Sequence, residues 1–191
     1  MSTRFRLGIS AFVLAGLVCV SPAHAAITVI GGGMARDCYE AVEFEKVSAD
    51  AALAVCDLAI EQESLSRKNR AATLVNRGII HMRAQRNDRA LWDFEKGLAL
   101  APDLLEAKVN LGGALYGLKR YEDAMAALNE GVKTESVNAR AIGYYNRALT
   151  FEKLGDLQSA YEDFQRALQT KPDFTQAAEQ MSRFTVVKAS S

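Results

Sequence analysis

Residues 141–174 read AIGYYNRALTFEKLGDLQSAYEDFQRALQTKPDF. Aromatics stand at Tyr144, Tyr145, Phe151 and Phe164, small residues at Ala148, Ala160 and Ala167, and the stretch closes on Pro172. These positions fall mostly three and four apart, the period of an amphipathic helix rather than the alternation of a strand. Gly155-Asp156-Leu157 interrupts the pattern midway, and glycine and aspartate are well tolerated where a helix must stop. The spacing predicts two antiparallel helices, over 142–154 and 157–170. Proline then ends the second, because it has no amide donor and clashes with the turn before it.

The unit recurs upstream. One copy sets Asn76, Gly78, Ala90, Phe94 and Pro102 in the same order, with helices predicted at 72–84 and 88–100 around Arg86-Asn87-Asp88. The middle copy sets Asn110, Leu111, Gly112, Ala124 and Leu128, with helices at 106–118 and 122–133 around Lys119-Arg120-Tyr121, and has Ser136 where the others have proline. Asn76 and Asn110 are 34 residues apart and Asn110 and Asn146 are 36, so the two extra residues fall in Thr134-Glu135-Ser136-Val137-Asn138, a longer and frayed connection. Gly78, Gly112 and Ala148 face Ala90, Ala124 and Ala160, letting paired helices approach, while Phe94, Leu128 and Phe164 fill the space beside them. No unit buries its apolar face alone, so stacking must build one continuous core. The fold class is all-α, an alpha-alpha superhelix of antiparallel helix pairs.

The flanks read differently. Arg4 and Arg6, the apolar run Leu7 to Val20 and the small residues of Ala23-His24-Ala25 form the layout of a secretory signal peptide over 1–25, cut after Ala25. The run is short of the roughly 20 residues a membrane span needs. Cleavage removes two arginines and no acid, taking the formal charge from 0 to −2. Neither value favours nucleic acid as a partner. Residues 26–34 include AITVIGGG, which lacks the third glycine and the βαβ setting of a dinucleotide fingerprint and reads as a flexible N-terminus.

Residues 35–62 read as a divergent helical hairpin, 35–46 and 48–62, with Ser48 as an N-cap. Cys38 and Cys56 each lie nine residues from Val47, so in an antiparallel hairpin they face each other. In an exported protein such a pair is expected to be a disulfide; the alternative is two buried free thiols. Two cysteines without a partnered histidine make a poor metal site, so no metal and no cofactor is expected.

The array resembles the tetratricopeptide repeat family. Its pattern is carried by Gly78, Ala90, Phe94 and Pro102 in a first repeat over 71–104, by Leu111, Gly112 and Ala124 in a second over 105–140, and by Tyr144, Phe151, Ala160, Phe164, Ala167 and Pro172 in a third over 141–174. Residues 175–191 would be a capping helix, through Thr185, and a tail. The resemblance implies that the first helices line a concave groove holding Val75, Asn76, Ile79, Val109, Asn110, Gly113, Tyr116, Tyr145, Asn146 and Leu149, with Gly117 beside them. An asparagine side chain is both donor and acceptor, so it can pair with the backbone of an extended peptide whatever its sequence; the same asparagine could instead hold adjacent helices together. Family members that clamp a terminal carboxylate use basic residues where this chain has Ile142 and Asn146, so a neutral or apolar peptide is expected. Arg83, Arg120 and Lys153 read as solvated rim charges.

Nothing in the pattern asks for an enzyme. His81 takes a core register, the acidic pairs Glu122-Asp123 and Glu162-Asp163 read as a solvated convex face, and Glu106 and Glu152 are poor candidates for a hydrolase pair. Trp92 reads as a packed or partly exposed residue on a second helix. The expected function is an exported, periplasmic scaffold that binds a protein or peptide, compatible with a membrane-associated partner. The alternative is a self-associating structural or envelope-maintenance subunit. The sequence leaves oligomeric state open.

Overall fold

The computed structural model describes residues 5–9, 23–29, 32–45 and 47–188. The apolar run of the expected leader, apart from its first residues, lies outside them. Nine helices are present among the described residues: α1 (Met34–Phe44), α2 (Ala49–Gln62), α3 (Arg67–Arg83), α4 (Asn87–Leu100), α5 (Leu105–Gly117), α6 (Tyr121–Gly131), α7 (Val137–Leu154), α8 (Leu157–Thr170) and α9 (Thr175–Met181). They pack as consecutive antiparallel pairs, α1 with α2, α3 with α4, α5 with α6 and α7 with α8, each pair stacking on the next. The first helices also touch across repeats, α1 with α3 and α5 with α7. This is the alpha-alpha solenoid expected from the period.

The small residues have the role their spacing implied. A Cβ added to Gly78 would sit 2.6 Å from the Phe94 ring, and one on Gly112 would sit 2.4 Å from Leu128. Ala90, Ala124, Ala160, Phe94, Leu128 and Phe164 are all fully buried. Packing at this density leaves no room for an added methyl group without displacement.

Local chemistry moves several boundaries. Helices α3 and α7 begin about a turn earlier than the repeat pattern suggested, because Ser66 and Ser136 cap them: their hydroxyls accept from the amides of Asn69 and Ala139 at 3.2 and 3.3 Å. The connection after α6 is not frayed. Thr134 is buried there, donates to Glu106 at 2.5 Å and accepts from the Ser136 amide at 3.2 Å. In each hairpin turn one residue takes the left-handed conformation, Gln85 (φ 58°), Lys119 (φ 61°) and Gly155 (φ 86°); only the third is the residue that adopts it without strain.

The C-terminus departs from expectation. Helix α9 stops at Met181, and strand β2 (Phe184–Lys188) follows where a continuing cap was expected. It pairs antiparallel with β1 (Phe5–Ile9), from Phe5 opposite Lys188 to Ile9 opposite Phe184. Phe184 packs edge-on against Phe164 at 5.9 Å, which closes the last repeat.

At the other end, Cys38 and Cys56 form a disulfide with Cα atoms 4.9 Å apart, joining α1 to α2. A Glu63 carboxylate oxygen accepts from the Ala35 amide at 2.9 Å and so caps α1 from the end of α2.

Candidate functional site: the asparagine groove

Residues 23–29 are not loose. They run, outside any regular helix or strand, along the first helices of all three repeats, from α7 to α3, and then reach the N-terminal hairpin. Asn146 brackets Ala23, accepting its amide at 2.9 Å and donating to its carbonyl at 2.8 Å. Asn110 brackets Ala25 in the same way, at 2.9 and 2.8 Å. Asn76 brackets Ile27, at 2.9 and 2.7 Å. One asparagine per repeat therefore meets every second residue of the strand, because alternate residues of an extended chain face the same side.

All three asparagines are fully buried. A buried amide with both groups paired contributes modestly, about 0.5–1.5 kcal/mol per hydrogen bond, but leaving its partner unpaired costs about 1–3 kcal/mol. The Asn110 bracket is the most enclosed: both of its hydrogen bonds are buried, whereas those of Asn76 and Asn146 are partly exposed. The groove walls are apolar. Ala25 packs in one cluster with Val109, Tyr116, Tyr145 and Leu149. Ile27 packs against the cluster containing Val75 and Ile79. Val29 is buried against Ala35, Ala59 and Ala72.

Between the two alanines, His24 points the other way, to Arg83. The guanidinium Nε donates to His24 Nε2 at 2.6 Å, and another nitrogen donates to the Val42 carbonyl at 2.8 Å. Arg83 also pairs with Glu45 at 3.0 Å, so it is a groove residue rather than a solvated rim charge. Burial first, and then the Arg83 charge, lower the His24 pKa from 6.5 to about 4. The imidazole is therefore a neutral acceptor here. Burial likewise pushes the Tyr145 phenol up to about 12.

The other expected groove residues divide by what they touch. Val75 and Val109 also serve the array: they would meet a Cβ on Gly97 and on Gly131, each at 2.8 Å. Gly113 is buried within α5. Gly117 is open for Asn87, whose side chain would lie 2.6 Å from an added Cβ. Tyr116 and Tyr145 are almost fully buried, at 8% and 2% exposed, with the Tyr145 ring tilted against those of Phe164 and Phe174.

Sequence reasoning missed a second pattern on the outer helices. Asp93 and Asp163, each one residue before the repeat phenylalanine, are buried rather than solvated. Arg77 reaches both oxygens of Asp93, at 3.0 and 2.6 Å, and Arg147 both oxygens of Asp163, at 2.6 and 3.0 Å. Each arginine directly follows a groove asparagine, a spacing that was visible in the sequence. The middle repeat has Leu111 and Ala127 at these places. Beside the first pair lies a cavity of about 330 Å³ walled in part by Arg77, His81, Trp92 and Asp93. His81 is buried there with its Nδ1 unpaired, and burial lowers its pKa. Trp92 is half-exposed, with the Lys96 ammonium 5.5 Å from its ring centre.

Family profiles described as tetratricopeptide repeat match residues 81–143 and 141–174. The solved structure of MamA from Desulfovibrio magneticus superposes with a TM-score of 0.61 at 22% identity, covering 78% of this chain and 82% of that one. The second tetratricopeptide domain of human RPAP3, solved with an HSP70 peptide, superposes with a TM-score of 0.55 at 20% identity, covering 61% of this chain and 96% of that one. A DnaJ homolog subfamily C member 7 homolog from Schizosaccharomyces pombe is 35% identical over 71 residues, 37% of this chain. The matched stretches span only 15%, 19% and 9% of the curated relatives' lengths. Residues 81–174 are thus matched by tetratricopeptide-repeat profiles, and the array has the fold of a tetratricopeptide-repeat solenoid.

Proposed function

We propose that this protein is an exported, periplasmic scaffold that binds an extended segment of a partner protein in the groove bracketed by Asn76, Asn110 and Asn146. The observation that carries the reading is the seating of residues 23–29. A stretch of ordinary polypeptide is held there by backbone hydrogen bonds from one asparagine per repeat, with small or apolar side chains between the groove walls. Such recognition is indifferent to most of the ligand sequence and selects for extended, neutral or apolar segments. The RPAP3 domain, solved with a peptide, shares the fold and supports the same use of it. Export rests on the leader layout of residues 1–25 and accords with the Cys38–Cys56 disulfide.

The test is recovery of partners from the exported protein with Asn110→Ala or Asn146→Ala against Trp92→Ala. Partner proteins identified by mass spectrometry should be lost with the asparagine variants and kept with Trp92→Ala. The opposite pattern would place binding on the convex side and end the groove reading. The competing reading, a self-associating envelope subunit, predicts a mass in solution that rises with concentration and is insensitive to Asn110→Ala.

A further inference from the structure

The first repeat is polar where the others are not. His81, Leu115 and Phe151 take one register of the first helices, 34 and 36 residues apart. Leu115 lies in the apolar core and Phe151 packs against it. His81 instead lines the cavity of about 330 Å³ between α2, α3 and α4. Positions equidistant from the Gln85 turn face each other, so His81 lies beside Arg89 as Arg77 lies beside Asp93. Leu53 and Trp92 are the apolar walls, and Asp57 completes the lining from α2. In the second and third repeats Asp123 and Ser159 take the place of Arg89, and Ala126 and Glu162 that of Trp92. The stacking of repeats therefore does not ask for this set of side chains.

Two groups in the cavity have hydrogen-bonding capacity to spare. His81 is only 8% exposed, its Nδ1 is buried without a hydrogen bond, and its Nε2 lies 4.0 Å from Asp93, beyond hydrogen-bonding distance. Buried polar atoms are paired as a rule, so an orphan of this kind calls for a partner. Arg89 is exposed and makes no ion pair among the described residues, whereas Arg77 is held by Asp93 and Asp57, and Arg86 by Asp50 at 3.7 Å. The charged groups acting on His81 are Asp93 and the arginines Arg77, Arg89 and Arg86, an excess of positive charge. We propose that this cavity binds a small free monocarboxylate, with its carboxylate between Arg89 and His81 and its apolar body against Leu53 and Trp92. One unengaged guanidinium balances one negative charge, and its planar fork matches the two oxygens of a carboxylate. A phosphate dianion would bring a second charge against Asp57 and Asp93 with no second cation to balance it.

The cavity, about 330 Å³, is at the lower end of the roughly 300–1,000 Å³ of small-molecule sites, which suits one ring or a short chain. It is separate from the asparagine groove: Asn76 turns to Ile27, and the adjacent Arg77 turns to the cavity. Burial lowers the His81 pKa from 6.5; Asp93 opposes the shift, and Arg77, Arg89 and Arg86 add to it. The imidazole is therefore neutral at pH 7 when the cavity holds no anion. A carboxylate beside it supplies the negative charge that an imidazolium needs. Binding then takes up a proton, and affinity rises as pH falls from about 8 to about 6.

The experiment uses the full chain, with benzoate and butyrate as probes and benzamide as the uncharged control. Trp92 is the only tryptophan, so its fluorescence reports on the cavity, and calorimetry measures the same binding independently. Benzoate should give a saturable response with one site per chain and bind about tenfold more tightly than benzamide, the effect of one charged hydrogen-bonding partner. Arg89→Ala should weaken the acid by about the same factor and leave the melting temperature unchanged. His81→Leu, which copies the second repeat, should weaken it and abolish the rise in affinity at low pH, while the chain stays folded. Lys133→Ala, which removes a distant exposed cation, should change nothing. Quenching that does not saturate with either acid, equal binding of benzoate and benzamide, or binding unaltered by Arg89→Ala overturns the proposal. Loss of partner proteins with Arg89→Ala would assign the carboxylate to a partner's side chain and overturns the free ligand. None of these outcomes bears on the groove reading, which stands or falls on Asn110→Ala.

Discussion

At the scale of single residues, two buried polar systems serve different ends. The asparagines spend their hydrogen-bonding groups on a strand that is not part of the array. The Arg77–Asp93 and Arg147–Asp163 pairs join the two helices of a repeat, with Arg77 also reaching Asp57 on α2 at 2.8 Å, and the middle repeat shows that Leu111 and Ala127 can take the same places. A buried pair is costly to break and cheap to replace by matched apolar groups. Asp163→Ala alone should therefore lower stability by about 3–5 kcal/mol, because it strands the largely buried Arg147. Arg147→Leu combined with Asp163→Ala, which copies the middle repeat, should fall within about 1 kcal/mol of the parent in urea unfolding. His24 supplies a pH signature. Its imidazole protonates near 6.5 when free and near 4 when seated, so between these values the unseated form binds more protons. The hold on residues 23–29 should weaken as pH falls from 6.5 towards 4 and be fully restored above 6.5. An NMR titration of His24 in the uncleaved chain checks this; a midpoint near 6.5 would mean the side chain is not enclosed.

At the scale of elements, the hairpin turns and the N-terminal hairpin carry separable contributions. Lys119 is exposed and left-handed at a position where the third repeat has glycine. Lys119→Gly should raise stability by about 0.5–1 kcal/mol, since removing Cβ relieves the left-handed strain at a small entropic cost. Thermal melts of the two proteins decide it, and a lower midpoint would show that the strain is relieved elsewhere. The Cys38–Cys56 bridge closes a sequence separation of 18. Removing it by paired serine substitutions should cost about 3 kcal/mol, chiefly by freeing the unfolded chain. Because the hairpin meets the array on one side only, the loss should appear first as faster amide exchange in α1 and α2, with α7 and α8 unaffected.

At the scale of the whole molecule, stacking makes the core continuous, so damage in one repeat is shared with its neighbours. Phe94→Ala should cost about 3–5 kcal/mol and expose α3 and α5 as well as α4 to exchange; protection loss confined to α4 would contradict a shared core. The sequence by itself determined the helix pairs, because a period of 3.6, small residues at facing positions and terminal prolines act within about 34 residues of chain. It also determined which asparagines recur, since their register is a matter of counting. Two things were decided only by tertiary structure. One is the burial of Asp93 and Asp163, because a carboxylate reads as solvated until an arginine from the neighbouring helix is seen to reach it. The other is the seating of residues 23–29, whose alternating brackets join positions 49, 85 and 123 residues apart. No local rule of propensity or spacing links residues so distant. Only the stacking of three repeats brings Asn76, Asn110 and Asn146 into one line, at the spacing where an extended strand can satisfy all three.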